Sequence, residues 1–567
     1  MQMNKLKEAA IVLLLVAISA APRFVGLGQF TSIDEPFWLR ASGNFYYALG
    51  QHQFENTLYE YHPAVTTMWA ISAGMLAYFP DYRKLGQGYL RPGKFDLFMQ
   101  EHGKSLLQLL IDSRAVQVIV IVILLLVIYF LLRRLFGTIQ AFFATGLISV
   151  SPFFLGHSRL LNHEAMLALF LLVSVLALLV YIYSTHRLRI LILSGAAAAL
   201  AQLTKSSGIV LFPVIGLMLL VAAFGRSEKK LAAALLDAAS TLGLWLLFMA
   251  AAYVLFWPGM WVAPGKMLYE VYGNALTYAF QGARLSETQH VAAASPPLAN
   301  LLAGLQIYLN DLAWRVTPLS WLGFLFGIGF ALRRNNEGAK PGIGLPILYA
   351  GILGLLFLIL FSVQIGPKPP HYILTAYVAI DLIAGLGYAS LVAFVSAQFP
   401  RLQTKWFGTG ALAAILALQL AMAVGFYPYY ITYYDPLLEA VQPGAQNPTL
   451  RNTGYGVGLD RAAAYLAQKP GAAGMTVMSA NGLGSFSYYF PGRTIAMNAL
   501  TLSDPLVLDG LKASQYVVVD YYNQRLNHRL ADLLGLKPEK DIRLNNIDFL
   551  RIYRSADVLA KYEAAHR

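Results

Sequence analysis

The sequence predicts a polytopic α-helical membrane protein of about 11 transmembrane helices that ends in a small extracytoplasmic α/β domain. Three observations predict it. Charged residues make up 13% of the 567-residue chain and hydrophobic ones 57%, whereas an ordinary soluble domain is charged at roughly a quarter of its positions. Eleven apolar runs are long enough to cross about 30 Å of hydrocarbon; they lie near 9–29, 113–132, 138–156, 164–184, 188–204, 208–225, 231–256, 315–332, 344–364, 371–395 and 406–427. Beyond 428 the pattern changes to alternating strand and helix signals.

The gaps between the runs set the topology. Lys5 and Lys7 precede the first run. Arg133 and Arg134 follow the second, His186, Arg187 and Arg189 the fourth, Arg226, Lys229 and Lys230 the sixth, Arg333, Arg334 and Lys340 the eighth, and Arg401 and Lys405 the tenth. Every even-numbered exit is short and basic, which the positive-inside rule makes cytoplasmic. The N-terminus is then inside and the C-terminal domain outside an integral plasma (inner) membrane. The opening MQMNKLKEAAIVLLLVAISAA has the order of a signal peptide, but it runs straight into Pro22 and Arg23, and reads as a retained first span. The net charge of +13 is largely absorbed by these loops, so nucleic acid is not needed to explain it. With no cysteine, disulfides and thiolate metal sites are excluded.

The chain divides into a membrane domain, 1–430, and an extracytoplasmic α/β domain, 431–567. The long loops, about 30–112 and 257–314, both fall outside, which puts the chemistry there. Within the first, PFWLRASGNFYYAL and AVTTMWAISAGMLAYF have helical spacing and aromatic faces suited to the membrane interface. In the tail, GLDRAAAYLAQ reads as a helix and MTVMSA and SQYVVVDYY as strands. The glycines of SANGLGSF lack a complete GxGxxG and a following lysine, so a nucleotide loop is not supported.

The polar residues centre on TSIDEPFWLRASGNFYYA, Thr31 to Ala48, where Asp34 and Glu35 stand just beyond the first span. One reading is a helix start, because acids suit the first turn and Pro36 the first helical position; the other is a site. Arg159, His163 and Glu164 lie at the mouth of the fourth span, in HSRLLNHEAMLALF. Lys205 in LTKSSGIVLFP, and Lys368 and His371 in IGPKPPHYIL, also occupy outer junctions. Charges there can snorkel to the interface. They can also converge on one anionic headgroup, arginine by forked contact and lysine as a point charge. Asp381, near the midplane, either serves a proton path or bonds a neighbouring helix; the second is favoured.

Carboxylates and cations on the outer face suit transfer of a sugar from a lipid-linked phosphate. The phosphate is already a good leaving group, so one carboxylate suffices, as base for the acceptor hydroxyl. Cations stabilise the charge that grows on the departing phosphate. A single displacement inverts the anomeric centre, by analogy with inverting glycosidases.

These segments resemble the C-type (GT-C) membrane glycosyltransferases, specifically the protein O-mannosyltransferases and the aminoarabinose transferases of lipid A. Asp34 and Glu35 match the family's first-loop pair, SRLLNHEAML its Ser-Arg segment with Glu164 where Asp is usual, TKSSGIVLFP its Thr-Lys-x-x-Gly segment and PKPPHYIL its basic-aromatic segment. YHPAVTTMW is similar to the lipid A branch's Lys-Pro-Pro segment, with His62 in place of the lysine. The resemblance runs from about 9 to 430. It implies a polyprenyl-phosphate sugar donor and an inverting, mannosyltransferase-like enzyme, with Asp34 as base and Glu35 assisting. Arg159, Lys205, Lys368 and His371 are then the donor phosphate-binding residues, and Glu164 and His62 orient the acceptor. No cofactor is required; if a metal takes part, Asp34, Glu35 and Glu164 would hold Mg2+ or Mn2+ rather than zinc. The partners are the lipid-linked sugar, an acceptor protein, lipid or glycan, and membrane lipids. The rival classes are a transporter or flippase of a lipid-linked sugar, which usually shows repeat symmetry not found here, and a scaffold displaying its tail. An oligosaccharyltransferase is disfavoured because the tail lacks a Trp-Trp-Asp segment.

Overall fold

The computed structural model describes residues 2–59, 63–86, 93–225, 231–281, 297–333, 342–399, 401, 405–442, 455–497, 505–520 and 535–565. Its longer helices are α1 (Gln2–Phe24), α2 (Glu35–Gly50), α3 (Val65–Tyr78), α4 (Lys94–Glu101), α5 (Leu106–Phe136), α6 (Thr138–Val150), α7 (Pro152–Ser158), α8 (Glu164–Tyr183), α9 (Leu188–Thr204), α10 (Leu211–Phe224), α11 (Leu231–Phe256), α12 (Pro297–Arg315), α13 (Pro318–Leu332), α14 (Gly344–Val363), α15 (Leu374–Gln398) and α16 (Lys405–Val424). Every apolar run is helical. Among the described residues seven helices are long and apolar enough to cross a membrane, or nine if the bent pairs α6–α7 and α12–α13 each count as one. The first run, α1, and the 17-residue α9 complete the set of predicted segments.

Two helices form the centre. α8 is apolar on all sides and buried from Glu164 to Val180, as expected of a helix enclosed by others. α15 is buried over its first four turns and meets α13 and α6 at small residues: a Cβ on Gly385 would lie 2.5 Å from Ala144 Cα, and one on Gly387 2.2 Å from the Gly323 carbonyl. Small residues let helix backbones approach in this way. Asp381 of α15 accepts a 2.6 Å bond from Ser320 Oγ of α13, so it bonds a neighbouring helix. An ion pair between Arg133, near the end of α5, and Glu8 of α1 holds those two ends on one side of the bundle.

The long segments between the spans are more ordered than loops. α2 and α3 pack on one another around Trp38, Leu39, Ile71 and Met75. The stretch 297–315, expected as loop, is α12, bent by 110° from α13; its Asp311 and Arg315 are buried against each other, one turn apart.

In the tail, helix α17 (Leu459–Ala467), strands β1 (Thr476–Ala480) and β2 (Arg493–Met497), helix α18 (Pro505–Lys512), strands β3 (Tyr516–Asp520), β4 (Lys540–Leu544) and β5 (Ile547–Arg554), and helix α19 (Ser555–Ala565) follow one another. The sheet order is β2-β1-β3-β5-β4, with β1 parallel to β2 and β3, and β5 antiparallel to β3 and β4. Helix α17 covers one face and α18 and α19 the other. The α17 face is completed by Phe30 and Leu160 from the membrane part, so the tail is seated directly on the turn that precedes α2.

Candidate active site

Asp34 and Glu35 are adjacent, yet they face different surroundings. Glu35 is fully buried and accepts five hydrogen bonds: from Arg114 Nε (2.7 Å) and Nη2 (2.5 Å), Ser32 N (2.8 Å) and Oγ (3.0 Å), and Leu161 N (2.8 Å). Arg114, on α5, also donates to the carbonyls of Leu27 and Phe30. This carboxylate ties the first loop to α5 and to the approach of α8. Its five bonds engage both carboxylate oxygens within the protein.

Asp34 is half-buried and precedes α2 as its N-cap, but its side chain caps nothing in the helix. Tyr455 of the tail is near enough to favour its charged form. A helix-start role therefore does not account for it. Burial, then the neighbouring Glu164 and Glu35 carboxylates, push its pKa up from 3.8 to about 6, against the opposing pull of Tyr455 and Lys205. Both burial and like charge disfavour the ionised form, and the outcome is an acid poised near neutrality.

Around Asp34 lie Glu164, Lys205 and His371. Lys205 follows α9 and its Nζ stands 2.8 Å from Glu164 Oε1, 3.9 Å from the centre of the Tyr372 ring and 5.2 Å from that of Phe361. Carboxylate and aromatic faces together hold a nearly desolvated ammonium. His371 Nε2 is 2.9 Å from Tyr455 Oη. Behind them a cavity of about 70 Å³ is lined by His157, Arg315, His371, Thr432, Tyr455 and others.

Two of the expected phosphate-binding residues point elsewhere. Lys368 donates to the carbonyls of Phe361 (3.1 Å), Ser362 (3.0 Å) and Gln364 (2.6 Å), which satisfies orphan carbonyls at the end of α14; burial lowers its pKa. Arg159 donates to Val25 O (2.8 Å) and Gly26 O (2.6 Å) and packs on the rings of Tyr430 and Tyr427. Burial, followed by the nearby Arg114 charge, pushes it down to about 10. Asp34, Glu164, Lys205 and His371 thus come together, Lys368 stands one residue away through Phe361, and Arg159 joins the Arg114–Glu35 side. His62 lies outside the described residues.

Among the described residues no group of three or more His, Cys, Asp or Glu side chains is placed to hold a metal ion. Glu35 is engaged by Arg114 and Glu164 by Lys205, so the three acids proposed for Mg2+ or Mn2+ do not form a shared site. Sequence reasoning missed Tyr455, Arg315 and His157. His157 sits directly before the quoted Ser-Arg segment and its Nδ1 accepts from Asn162 Nδ2 at 2.8 Å. Nothing in the sequence around Tyr455 marks its contact with His371.

Comparison with known proteins bears on these residues. No curated protein sequence matches the chain. In fold, it is similar to ArnT from Cupriavidus metallidurans bound to undecaprenyl phosphate, with 14% identity, 95% of this chain and 97% of that one covered, and a TM-score of 0.48. It is also similar to the oligosaccharyltransferase of Archaeoglobus fulgidus (14% identity, 90% and 69% covered, TM-score 0.42). A third likeness is to the S. cerevisiae protein O-mannosyltransferase Pmt1-Pmt2 complex bound to the sugar donor (17% identity, 46% and 34% covered, TM-score 0.35). Residues 106–257, which include Glu164 and Lys205, match the family described as dolichyl-phosphate-mannose-protein mannosyltransferase, and the resemblance to C-type membrane glycosyltransferases seen in the ordered motifs is repeated there.

Proposed function

We propose that this protein is an inverting glycosyltransferase that moves a sugar from a polyprenyl-phosphate donor to an acceptor hydroxyl at the outer face of the plasma (inner) membrane. The N-terminus is cytoplasmic and the tail extracytoplasmic. Residues 1–430 form the transferase domain and 431–567 the domain that closes it. The observation that carries this reading is a half-buried Asp34 with its pKa raised to about 6, beside the buried Lys205–Glu164 pair.

In the reaction Asp34 accepts the proton of the acceptor hydroxyl as that oxygen attacks the anomeric carbon. The bond from that carbon to the phosphate oxygen breaks on the opposite face, and the phosphate leaves with the electron pair. A positioned base contributes about 10²–10⁴-fold. Lys205 is the cation best placed to stabilise the leaving phosphate, with His371 and Lys368 on the same side; the low-dielectric setting strengthens each contact. Glu164 holds Lys205 in place and orients the acceptor. Arg159 is assigned to phosphate only at a greater remove, because it is engaged by the carbonyls of Val25 and Gly26. The donor sugar is mannose-like, following the description of the matched family, and the acceptor is a protein Ser or Thr, a lipid or a glycan.

The test is incubation of the purified protein, in lipid nanodiscs, with a panel of polyprenyl-phosphate sugars and candidate acceptors, followed by mass analysis. Consumption of one donor with a product heavier by one sugar is expected. If every donor survives in the presence of every acceptor, the reading fails.

A further inference from the structure

His163 stands buried at the mouth of α8, directly before Glu164, and has no part in the transfer step described above. Its side chain meets two elements at once. Nδ1 lies 2.9 Å from Thr67 Oγ1 of α3, and the ring packs edge to face with Trp38 of α2, the centroids 4.2 Å apart and the planes at 83°. This is a preferred geometry for aromatic pairs. Trp38 is one turn beyond Asp34, and its N–H donates to the Asp34 carbonyl at 3.0 Å. One imidazole is thus packed between the turn that bears the acid and the residue that holds Lys205.

The other half of the ion pair is fastened by the same turn of α3. Thr66 Oγ1 lies 2.7 Å from Thr204 Oγ1, and Thr204 is the residue before Lys205. Thr204 gives its one hydroxyl proton to the Leu200 carbonyl at 2.6 Å, so Thr66 is the donor in the bond between the two threonines. Two consecutive residues of one helix therefore hold the residues that immediately precede Glu164 and Lys205. α8 and α9 also share a buried bond further along, from Ser194 Oγ to the Ser174 carbonyl at 2.8 Å, but the α3 contacts act at the ends that carry the charges.

Attack on one face of the sugar and departure of the phosphate from the other fix how far apart base and cation must stand. We infer that His163, held by Thr67, is a positioning residue that sets the spacing between Asp34 and the Lys205–Glu164 pair. The inference rests on the glycosyl-transfer reading above. An error of about 1 Å in that spacing is worth about 10²-fold, and it falls on the chemical step rather than on donor binding.

The experiment measures donor KM, kcat and unfolding temperature, in the full-length protein, for Thr67→Val, His163→Phe, the double variant and Ser194→Ala. Thr67→Val and His163→Phe each remove the same bond while keeping a side chain of similar shape. Ser194→Ala removes a buried bond between α8 and α9 away from the charged ends. Each of the first two should lower kcat about 10- to 100-fold with donor KM within about threefold of the parent. The double variant should fall no further than the worse single one, because the same bond is lost in all three. Ser194→Ala should keep kcat within about threefold even where its unfolding temperature falls as much. Thr67→Val decides alone if His163→Phe is recovered unfolded. Losses that multiply in the double variant, an unimpaired Thr67→Val, a loss confined to KM, or an equal loss of kcat in Ser194→Ala would overturn the positioning role alone. A parent protein that consumes no donor overturns the transfer reading and this inference with it.

Discussion

Lys205 Nζ lies 2.8 Å from Glu164 Oε1, and both side chains are almost wholly buried. The pair joins the end of α9 to the start of α8 and places one positive and one negative charge beside Asp34. Removing one member of such a pair leaves the other uncompensated, at a cost of about 3–5 kcal/mol. Lys205→Met should therefore destabilise the protein strongly and abolish donor turnover, whereas Glu164→Gln, which can still accept a bond from the ammonium, should cost less in both. Unfolding temperature and donor consumption, measured on the two variants together, check this.

The raised pKa of Asp34 has a definite sign. The fold favours its protonated form, so its contribution to stability is complete below the ordinary value of 3.8 and is lost as pH rises through about 6. The base form appears over the same window. Activity should climb with pH through a limb near 6, and Lys205 removal, which takes away a cation that lowers this pKa, should shift any residual limb upward. The measurement is the pH profile of kcat/KM for the donor.

Glu35 is expected to behave as a structural residue. Arg114→Met strands its buried carboxylate and should cost about 3–5 kcal/mol. Glu35→Gln should lower the yield of folded protein while leaving kcat per folded molecule within about tenfold of the parent. Activity normalised to folded protein, by size exclusion, separates this from a loss of more than a hundredfold that a direct catalytic role would bring.

Gly484→Ala should separate the tail from the turn. The added methyl would lie 2.0 Å from Pro36 Cγ, so the tail or the turn must shift, and a displacement near 1 Å at a reacting group is worth about 10²-fold in rate. The tail sheet itself should survive, since Gly484 lies outside its strands. Limited proteolysis of the tail alongside turnover checks both halves of the expectation.

Much of the membrane part was legible because the bilayer demands long apolar runs and biases their flanks. α12 was not: Asp311 and Arg315 interrupt its apolar run, and their burial against each other is invisible in sequence. The tail's strands β1 and β3 stand out as apolar runs, while β4 and β5 do not, although Asn545 and Asn546, both at positive φ, join them in a tight hairpin of the kind that favours asparagine. In the site, an acidic pair after the first span marked the place. Which of the two acids is taken up in an ion pair depends on the turn and on Arg114, far along the chain. The outer cations were equally visible, but the carbonyls that engage Lys368 and Arg159 belong to backbone and carry no residue signature. Tyr455 reaches His371 only because the tail folds back onto the membrane part.

The central claim is that Asp34 is the base. Asp34→Asn keeps the size of the side chain while removing the proton acceptor, so donor binding should persist and glycosyl transfer should fall by about 10²–10⁴-fold. Transfer at the parent rate by Asp34→Asn, with donor bound equally well, would contradict the account.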